Sequence, residues 1–588
     1  MPEDGSLRGY LGVGTSLTGR SWQGPSVELD RQAEAIAQRA GLDPALAVVL
    51  ARRGVAAEEV DGFLNPTLRD LLPDPTRLKD CAAAANRLNA AVRGGERIAI
   101  FADYDVDGGA SAALLTEWFR AQSLRATLYV PDRIDEGYGP NAPAIAALAQ
   151  DHDLIVCVDC GTLSHGALAA AQDTDILVLD HHLGGETLPP AVAVVNPNRQ
   201  DEAGDLGHLC AAAVVFLTLV EAGRQTRAAG QTAPNLMDML DLVALATVAD
   251  VAPLTGVNRA FVSTGLKVMA RRGRPGLRAL ADVAGLNECP RPYHLGYLLG
   301  PRINAGGRIG KADLGARLLA TADESEAAEL AAKLDNLNRE RRAIEAAVTE
   351  EALAQAEARG LDAPLVWAAG EGWHPGVVGI VASRLKEATG RPAVVIGLER
   401  GMGKGSGRSV TGIDLGASVQ RLAAEGLLVR GGGHKMAAGL TVEGAQLEPA
   451  MNRLAALLAR QGAGALGPQT LTIDGTLMPS AVTVDLIEAL ERAGPYGASA
   501  PAPRFALPAM RVHHARRVGS GHLKLTLGDG HGARLDAISF GACETALGPA
   551  LEDAGRSRFH VAGRLEINTW QGRSTPQLRL EDAAPAGP

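Results

Sequence analysis

A parallel α/β domain, a smaller second α/β body and a terminal β-barrel are what this sequence predicts, on three observations. Short runs of Val, Ile and Leu alternate with Ala-rich helical segments from residue 97 to 195. A long Pro-free helical pattern, 313–358, then precedes a second strand–helix alternation. From about residue 470 only short strands separated by turn residues remain.

Taken in order, residues 1–75 hold a helical stretch, Leu29–Arg39, and a Pro-punctuated segment ending at LLPDP. They carry no assignable chemistry. Four apolar runs follow, Ile98–Phe101, Leu154–Val158, Ile176–Leu179 and Ala191–Val195. Runs this short and this apolar suit strands buried on both faces of a parallel sheet. Helical segments such as Ala110–Gln122, Ala142–Gln150 and Leu163–Gln172 lie between them. The pattern from 313 to 358 stops at Gly360, and a helix of that length usually joins two bodies. PLVWAAG, a helix Gly379–Thr389 and PAVVIGL form the second alternation. LTIDGTL, ALPAMRV, LKLTLGD, LDAISFG, RFHVAGRLEI and PQLRLED read as the barrel, for which an OB-fold is one candidate. The tail AAPAGP reads as disordered. The expected divisions are 1–75, 76–312, a connecting helix 313–360, 361–462 and 466–582.

Composition narrows the classes. The chain has 588 residues, 46% hydrophobic and 21% charged, as in ordinary globular proteins. A net charge of −10 excludes holding nucleic acid by bulk positive charge, though not by a local basic track. Glycine is abundant, 70 residues, without a collagen period. Six dispersed cysteines do not make a disulfide framework. The N-terminus has no apolar signal core, and windows such as Leu242–Val248 are too short to span a bilayer. The expectation is a cytoplasmic protein without membrane attachment.

Chemistry gathers where the apolar runs stop. They run into ADYDVDGG, DCGT, DHH and NPN, and in open α/β sheets ligands sit outside the carboxyl ends of the strands. Asp103, Asp105, Asp107, Asp159, Asp180, His181 and His182 collect there, and Asp250 closes the apolar stretch DLVALATVAD. Any one of these carboxylates alone could be a helix N-cap. All of them together would repel one another unless cations neutralised them. A mixed carboxylate and imidazole set suits Mn²⁺ or Mg²⁺ better than structural zinc. Two such cations roughly 3.5–4 Å apart are a common device for phosphoester hydrolysis.

DYDVDG, VDCG, LDHH and TVAD, in this order, resemble the four motifs of the DHH phosphoesterase superfamily. Gly431-Gly432-Gly433-His434 is similar to the glycine-rich motif of the DHH-associated domain. With GPRINAGGRIG (300–310), WHPGVVGIVASRLKE (373–387), the long helix and the barrel, residues 75–585 resemble the family's bacterial single-strand-specific 5′→3′ DNA exonucleases. The resemblance implies two divalent cations, Mn²⁺ or Mg²⁺, held by Asp103, Asp105, Asp159, His181 and Asp250, with Asp159 bridging. His182 corresponds to a histidine beside the scissile phosphate. Asp180 is expected to orient an imidazole, and Asp107 to cap the helix that follows it. Ala102 stands where many relatives have Gly. Single-stranded DNA as substrate, mononucleotide products, a role in recombination and repair, single-strand-binding protein and recombination helicases as partners, and a monomeric state belong to the same implication.

Three stretches are candidates for holding the substrate. GPRINAGGRIG offers Arg302, Asn304 and Arg308 in what reads as a Gly-rich loop, where guanidinium forks and close backbone N–H groups suit phosphate. Residues 400–435 hold six Lys or Arg against two acids. A Gly-rich basic loop there, with Ser406, Arg408, Ser409 and His434, suits a terminal phosphate; the plainer reading of GGGH is a tight turn. RVHHARRVGSGHLK (511–524) offers Arg516, Arg517 and Lys524 in the barrel, where single strands bind by charge and stacking; a solvated strand edge is the alternative. Phe505, Phe540 and Trp570 are its aromatic candidates. Arg133 and Tyr138 could flank the entrance, and Asn196 and Asn198 read as turn residues. Cys157-Val-Asp-Cys160 reads as core packing, and GMGKGSG lacks the context for a nucleotide loop. The competing functions are a DHH phosphodiesterase for short oligonucleotides or cyclic dinucleotides, and an inactive DNA-binding relative.

Overall fold

Five parallel strands form the sheet on which the acidic motifs sit. Their order across the sheet is Ala126–Tyr129, Ile98–Ala102, Leu154–Val158, Asp175–Leu179 and Ala193–Val195. The chain thus moves outward from Ile98–Ala102 to one side, then crosses to its other side. That crossing is a topological switch point, the usual place for a ligand in such sheets. The strand that creates it, Ala126–Tyr129, is absent from the sequence expectations. Its half-exposed pattern, ATLY, marks an edge strand, not an apolar run buried on both faces.

The computed structural model describes residues 9–132, 136–464, 469–519 and 521–587, apart from the Trp570 side chain. They fall into two units. One comprises Leu72–Pro253 and Phe261–Leu466; the other comprises Met1–Leu71, Leu254–Ala260 and Gly467–Pro588.

In the first unit the helical pattern 313–358 is two helices, Leu314–Ala320 and Glu324–Arg359. Thr321 is extended, and Asp323 caps the second helix by accepting the Glu326 N–H at 2.8 Å. An N-cap carboxylate inside an otherwise helical pattern is what restarts the helix. The first half of Glu324–Arg359 packs through Ala327, Leu330 and Leu334 on the helices Pro275–Val283 and Gly300–Ile309. Its second half contributes Val348, Ala352 and Ala356 to a core shared with Val377, Val381 and Val395.

That core belongs to a second, mixed sheet ordered Arg430–His434, Ala437–Glu443, Met402–Arg408, Ala393–Glu399 and Val366–Glu371. GKGSGR, expected as a loop, is a strand. Gly403, Gly405 and Gly407 alternate with Lys404, Ser406 and Arg408, which is the two-residue period of a strand. A Cβ at Gly405 would lie 2.8 Å from Ile396 and 2.9 Å from Leu440, so the inward positions have no room for a side chain. RGGGH is a strand as well, paired in antiparallel register with Ala437–Glu443.

The other unit contains the barrel. Its strands are Phe505–Val518, His522–Gly528, Arg534–Ser539, Arg558–Trp570 and Arg573–Pro585. They close in the order first, second, third, fifth, fourth and back to the first, with only the third–fifth pairing in this ring parallel. This is the OB topology expected. The expected disordered tail is partly strand: Ala583 and Ala584 are buried and pair with Val561 and His560. The N-terminal residues, which had no assignment, are built into this unit. Ser21–Gln23 pairs with Thr470–Thr472, and Leu46, Val49 and Leu50 share a core with Leu486, Phe505 and Leu578.

The Trp22 indole N–H donates to Asp582 Oδ2 at 2.9 Å, and both side chains are buried. Asp582→Ala leaves that donor unpaired and is expected to lower stability by about 1–3 kcal/mol in chemical denaturation. Asp582→Asn, which keeps an acceptor oxygen, is expected to lose less.

Candidate metal centre

Asp103 and Asp159 each follow one of the two strands that flank the switch point, Ile98–Ala102 and Leu154–Val158. Ala102 fits this site as a fully buried strand residue. Behind it, a Cβ at Gly108 would lie 2.4 Å from Asp103 O, so only glycine lets the helix start so close to the strand end. Asp105 caps that helix, Val106–Arg120, by accepting the N–H groups of Asp107 and Gly108. The cap expected from Asp107 is therefore made by Asp105. Asp107 instead reaches across to the helix Ala211–Ala228, accepting the N–H groups of Ala211 and Ala212 at 2.7 and 2.8 Å.

Three groups of ligand atoms form around these residues, each within 4.8 Å: Asp103, Asp105 and Asp159; Asp159, His181 and His182; and Asp107, His181 and Asp250. Asp159 and His181 are each shared by two groups. His181 Nε2 lies 3.3 Å from Asp159 Oδ1 and 3.7 Å from Asp107 Oδ2, and its Nδ1 lies 3.9 Å from Asp250. Asp159 holds a left-handed backbone, φ 59°, and is 2% exposed; its Oδ1 is buried without a hydrogen bond among the described residues. Strain in a non-glycine residue and an orphaned buried oxygen are costs that a bound cation would offset.

The protonation pattern agrees. Burial, and then the charges of Asp107, Asp105, Asp103 and Asp180, push the Asp159 carboxyl well above the usual carboxylate range. Burial, then the charges of Asp107 and Asp105, push Asp250 up to about 8 against the pull of His182. Asp107 is also raised, by burial first, against the opposing pull of His181. Burial and mutual repulsion together make a further negative charge here costly. Hard oxygen donors with one or two imidazoles fit Mn²⁺ or Mg²⁺.

Asp180 performs the orienting role expected of it. Its carboxylate accepts from Thr162 N and Oγ1, from the backbone N–H groups of His181 and His182, and meets His182 Nδ1 at 2.8 Å. Although burial opposes it, this set of donors, led by the His182 bond, holds Asp180 below its ordinary range. Burial would lower the His182 imidazole, but the hydrogen bond and charge of Asp180 outweigh it and raise the ring to about 9.

Several members of the site were invisible or understated in the sequence. Asn196 is fully buried and is more than a turn residue: its Nδ2 donates to Thr162 Oγ1 and to His182 O, both at 2.8 Å. Asn198 Nδ2 donates to His181 O at 2.6 Å. Together they clamp the backbone of the histidine pair. The fourth strand's ending in NPN is the signal that could have shown it. Tyr138, expected at the entrance, donates its hydroxyl to Asp159 O at 3.2 Å and lies 3.1 Å from His182 Nε2. Arg133 lies outside the described residues. Cys157 and Cys160 are buried in the sheet core.

The expected phosphate-holding residues divide. GPRINAGGRIG is the helix Gly300–Ile309 and not a loop, because its glycines serve packing: a Cβ at Gly307 would lie 3.0 Å from Tyr104. Arg302 is tied to Asp335 at 2.9 Å and to Leu298 O, and Arg308 donates to Gly376 O. Asn304 Oδ1 is buried without a hydrogen bond among the described residues. On the second sheet Arg408 donates to Ser406 Oγ at 2.9 Å, and both share a face with Lys404. Ser409 is 1% exposed and its hydroxyl donates inward to Ile413 O, so it does not reach that face. His434 is exposed at the end of its strand. In the barrel Arg516 is exposed and stands opposite Lys524, whereas Arg517 is held by Glu552 at 2.6 Å. Phe505 is core; Phe540 is half exposed beneath Arg579. The Trp570 side chain lies outside the described residues.

Asp180→Asn is expected to return the metal-free His182 titration from about 9 toward the ordinary value of about 6.5, read by NMR. The same change, in a residue that orients the site without sitting between the strand ends, is expected to cost about 10–100-fold in metal affinity.

Comparison with known proteins follows the same geography. Residues 97–247 match the DHH family, N-terminal domain; residues 362–460 the DHHA1 domain; and residues 473–582 the RecJ OB domain. The chain is 38% identical over 555 residues to the single-stranded-DNA-specific exonuclease RecJ of Dickeya dadantii, covering 91% of this chain and 95% of that protein. It is 35% identical over 579 residues to RecJ of Escherichia coli, covering 95% and 98%. The crystal structure of Thermus thermophilus RecJ with Mn²⁺ superposes with a TM-score of 0.78 at 30% identity, covering 96% of this chain and 79% of that one. A switch-point carboxylate cluster, the DHHA1-type sheet and the OB barrel, all in one chain at this level of identity, make the protein a member of the RecJ family of the DHH superfamily.

Proposed function

We propose that the protein is a divalent-metal-dependent exonuclease that hydrolyses single-stranded DNA from its 5′ end to mononucleotides. The observation that carries this reading is the cluster of buried carboxylates and imidazoles at the switch point, with Asp159 shared between two ligand groups. Asp103, Asp105, Asp159, His181 and Asp250 would hold the cations, with Asp107 within reach of His181. When bound, two Mn²⁺ or Mg²⁺ ions would polarise the phosphate and lower the pKa of a coordinated water.

The chain's own side chains do the rest. His182, kept protonated at neutral pH by Asp180, donates to a phosphate oxygen or to the leaving 3′-oxygen. The Tyr138 hydroxyl, 3.1 Å from Nε2 and 3.2 Å from Nδ1, further limits the ring's freedom. Arg408, Ser406 and Lys404 present a polar row suited to a terminal phosphate, and Arg516 and Lys524 a basic pair on the barrel. A separate nucleic-acid-binding barrel favours a polymeric substrate over a dinucleotide. Action in the cytoplasm, in recombination and repair, as a monomer working with single-strand-binding protein and helicases, belongs to the same proposal. It accords with six unpaired cysteines and with the lack, among the described residues, of a helix long and apolar enough to cross a membrane.

The test supplies Mn²⁺ with 5′- and 3′-labelled single strands, a duplex and a dinucleotide. Mononucleotides released from the 5′ end of the single strand alone are expected. Hydrolysis of the dinucleotide alone would instead identify a short-oligonucleotide phosphodiesterase, and no hydrolysis at all an inactive binder. Asp159→Ala is expected to lower the rate by about 100–1,000-fold, as loss of transition-state charge stabilisation does elsewhere. Strand binding by this variant, read by fluorescence anisotropy, is expected to persist. Arg408→Ala is expected to raise KM for a 5′-phosphorylated strand more than for a 5′-hydroxyl strand.

A further inference from the structure

Two of the chain's seven tyrosines, Tyr293 and Tyr297, stand 60% and 74% exposed. Their rings are stacked, with centroids 5.3 Å apart and planes 23° apart. In a chain with only 3% aromatic residues, a stacked pair left in solvent calls for a partner. Tyr297 lies in, and Tyr293 immediately precedes, an unusual element, a π-helix over His294–Leu299. Such turns are rare and concentrate at functional sites.

The inner side of this turn is pinned to the helix that ends in Asp250. Leu295 and Leu299 are fully buried. A Cβ at Gly296 would lie 3.4 Å from Val248 Cγ1, and one at Gly300 3.6 Å from Ala249 Cβ. Asp250, in reach of His181, is the next residue along. Val251 after it is 70% exposed with a left-handed backbone, φ 59°. His294 is buried and accepts the Arg291 N–H at 3.1 Å, which fixes the start of the turn. Arg291 itself is exposed. A turn packed against the helix that leads to Asp250 therefore presents two exposed, mutually stacked rings to solvent.

We infer that Tyr293 and Tyr297 form a stacking platform for bases of the single strand whose phosphodiester lies at the carboxylate cluster. The inference rests on the exonuclease reading. Every base has a π-face, so such a platform holds a strand without selecting its sequence. It also disfavours duplex, whose bases are already stacked and paired.

The experiment uses the full chain with Mn²⁺ and compares wild type, Tyr293→Ala/Tyr297→Ala and Tyr293→Phe/Tyr297→Phe. The double alanine variant is expected to raise KM for single-stranded DNA about ten-fold, in line with loss of base stacking, with kcat nearly unchanged. The double phenylalanine variant keeps both rings and is expected to match wild type. A strand of the same length built of abasic residues removes the stacking partner, and on it all three proteins are expected to have the same KM. A double alanine variant with wild-type KM on base-bearing DNA overturns the inference, and so does a KM defect of equal size on the abasic strand. A wild-type protein that cleaves no single strand overturns the exonuclease reading itself, and the platform with it.

Discussion

Electrostatic repulsion among buried carboxylates is the constraint on which the site depends. Asp103, Asp105, Asp107, Asp159, Asp180 and Asp250 converge on one end of the five-stranded sheet, most of them out of contact with water. Among the described residues, Asp180, Asp107 and Asp105 are satisfied by the protein itself. Asp180 gathers three backbone N–H groups, a threonine hydroxyl and an imidazole, Asp107 takes two N–H groups from one helix start, and Asp105 takes two from another. Asp159 is left with a buried oxygen that accepts no hydrogen bond among the described residues, on a strained backbone. The fold therefore compensates the carboxylates that orient and leaves uncompensated one that faces the shared position. That asymmetry is what makes a cation site out of an acidic cluster.

Glycine has a different part from the one its abundance suggests. In Gly403, Gly405 and Gly407 it thins the inner face of a strand so that Ile396 and Leu440 can fill the space. In Gly307 it lets a helix approach Tyr104, next to the metal centre. In both cases glycine brings regular elements together instead of making a flexible phosphate loop. The polar residues between the glycines, Lys404, Ser406 and Arg408, are consequently presented on a rigid sheet face. Preorganised donors lose less on binding than donors on a mobile loop.

Much of this was legible in the sequence. The buried strands were, because a parallel sheet covered on both faces needs continuous apolar runs, as in Leu154–Val158. The acidic stops were, because strand ends in such a sheet face the ligand. The barrel strands were, because each alternates and ends in turn residues. Other features were hidden for physical reasons. The edge strand Ala126–Tyr129 is only half buried, so it carries no apolar run. Asn196 looked like a turn residue because its hydrogen bonds run to Thr162 and His182, which are remote in sequence. Trp22 and Asp582 lie 560 residues apart, a separation no local pattern reports.

The sequence by itself determined the residue types, their order and the two-residue and helical periods, because those depend on near neighbours along the chain. It thereby determined the α/β class, the candidate ligands and the chemistry they suit. Only the tertiary structure decided the strand order, and with it the switch point that sets Asp103 beside Asp159. Only it decided that Asp105 and not Asp107 caps the following helix, that Ser409 turns inward, and that Gly296 and Gly300 pack against the end of the helix that leads to Asp250. Each of these is a matter of which distant surfaces meet, and that is settled by packing and burial across the whole unit.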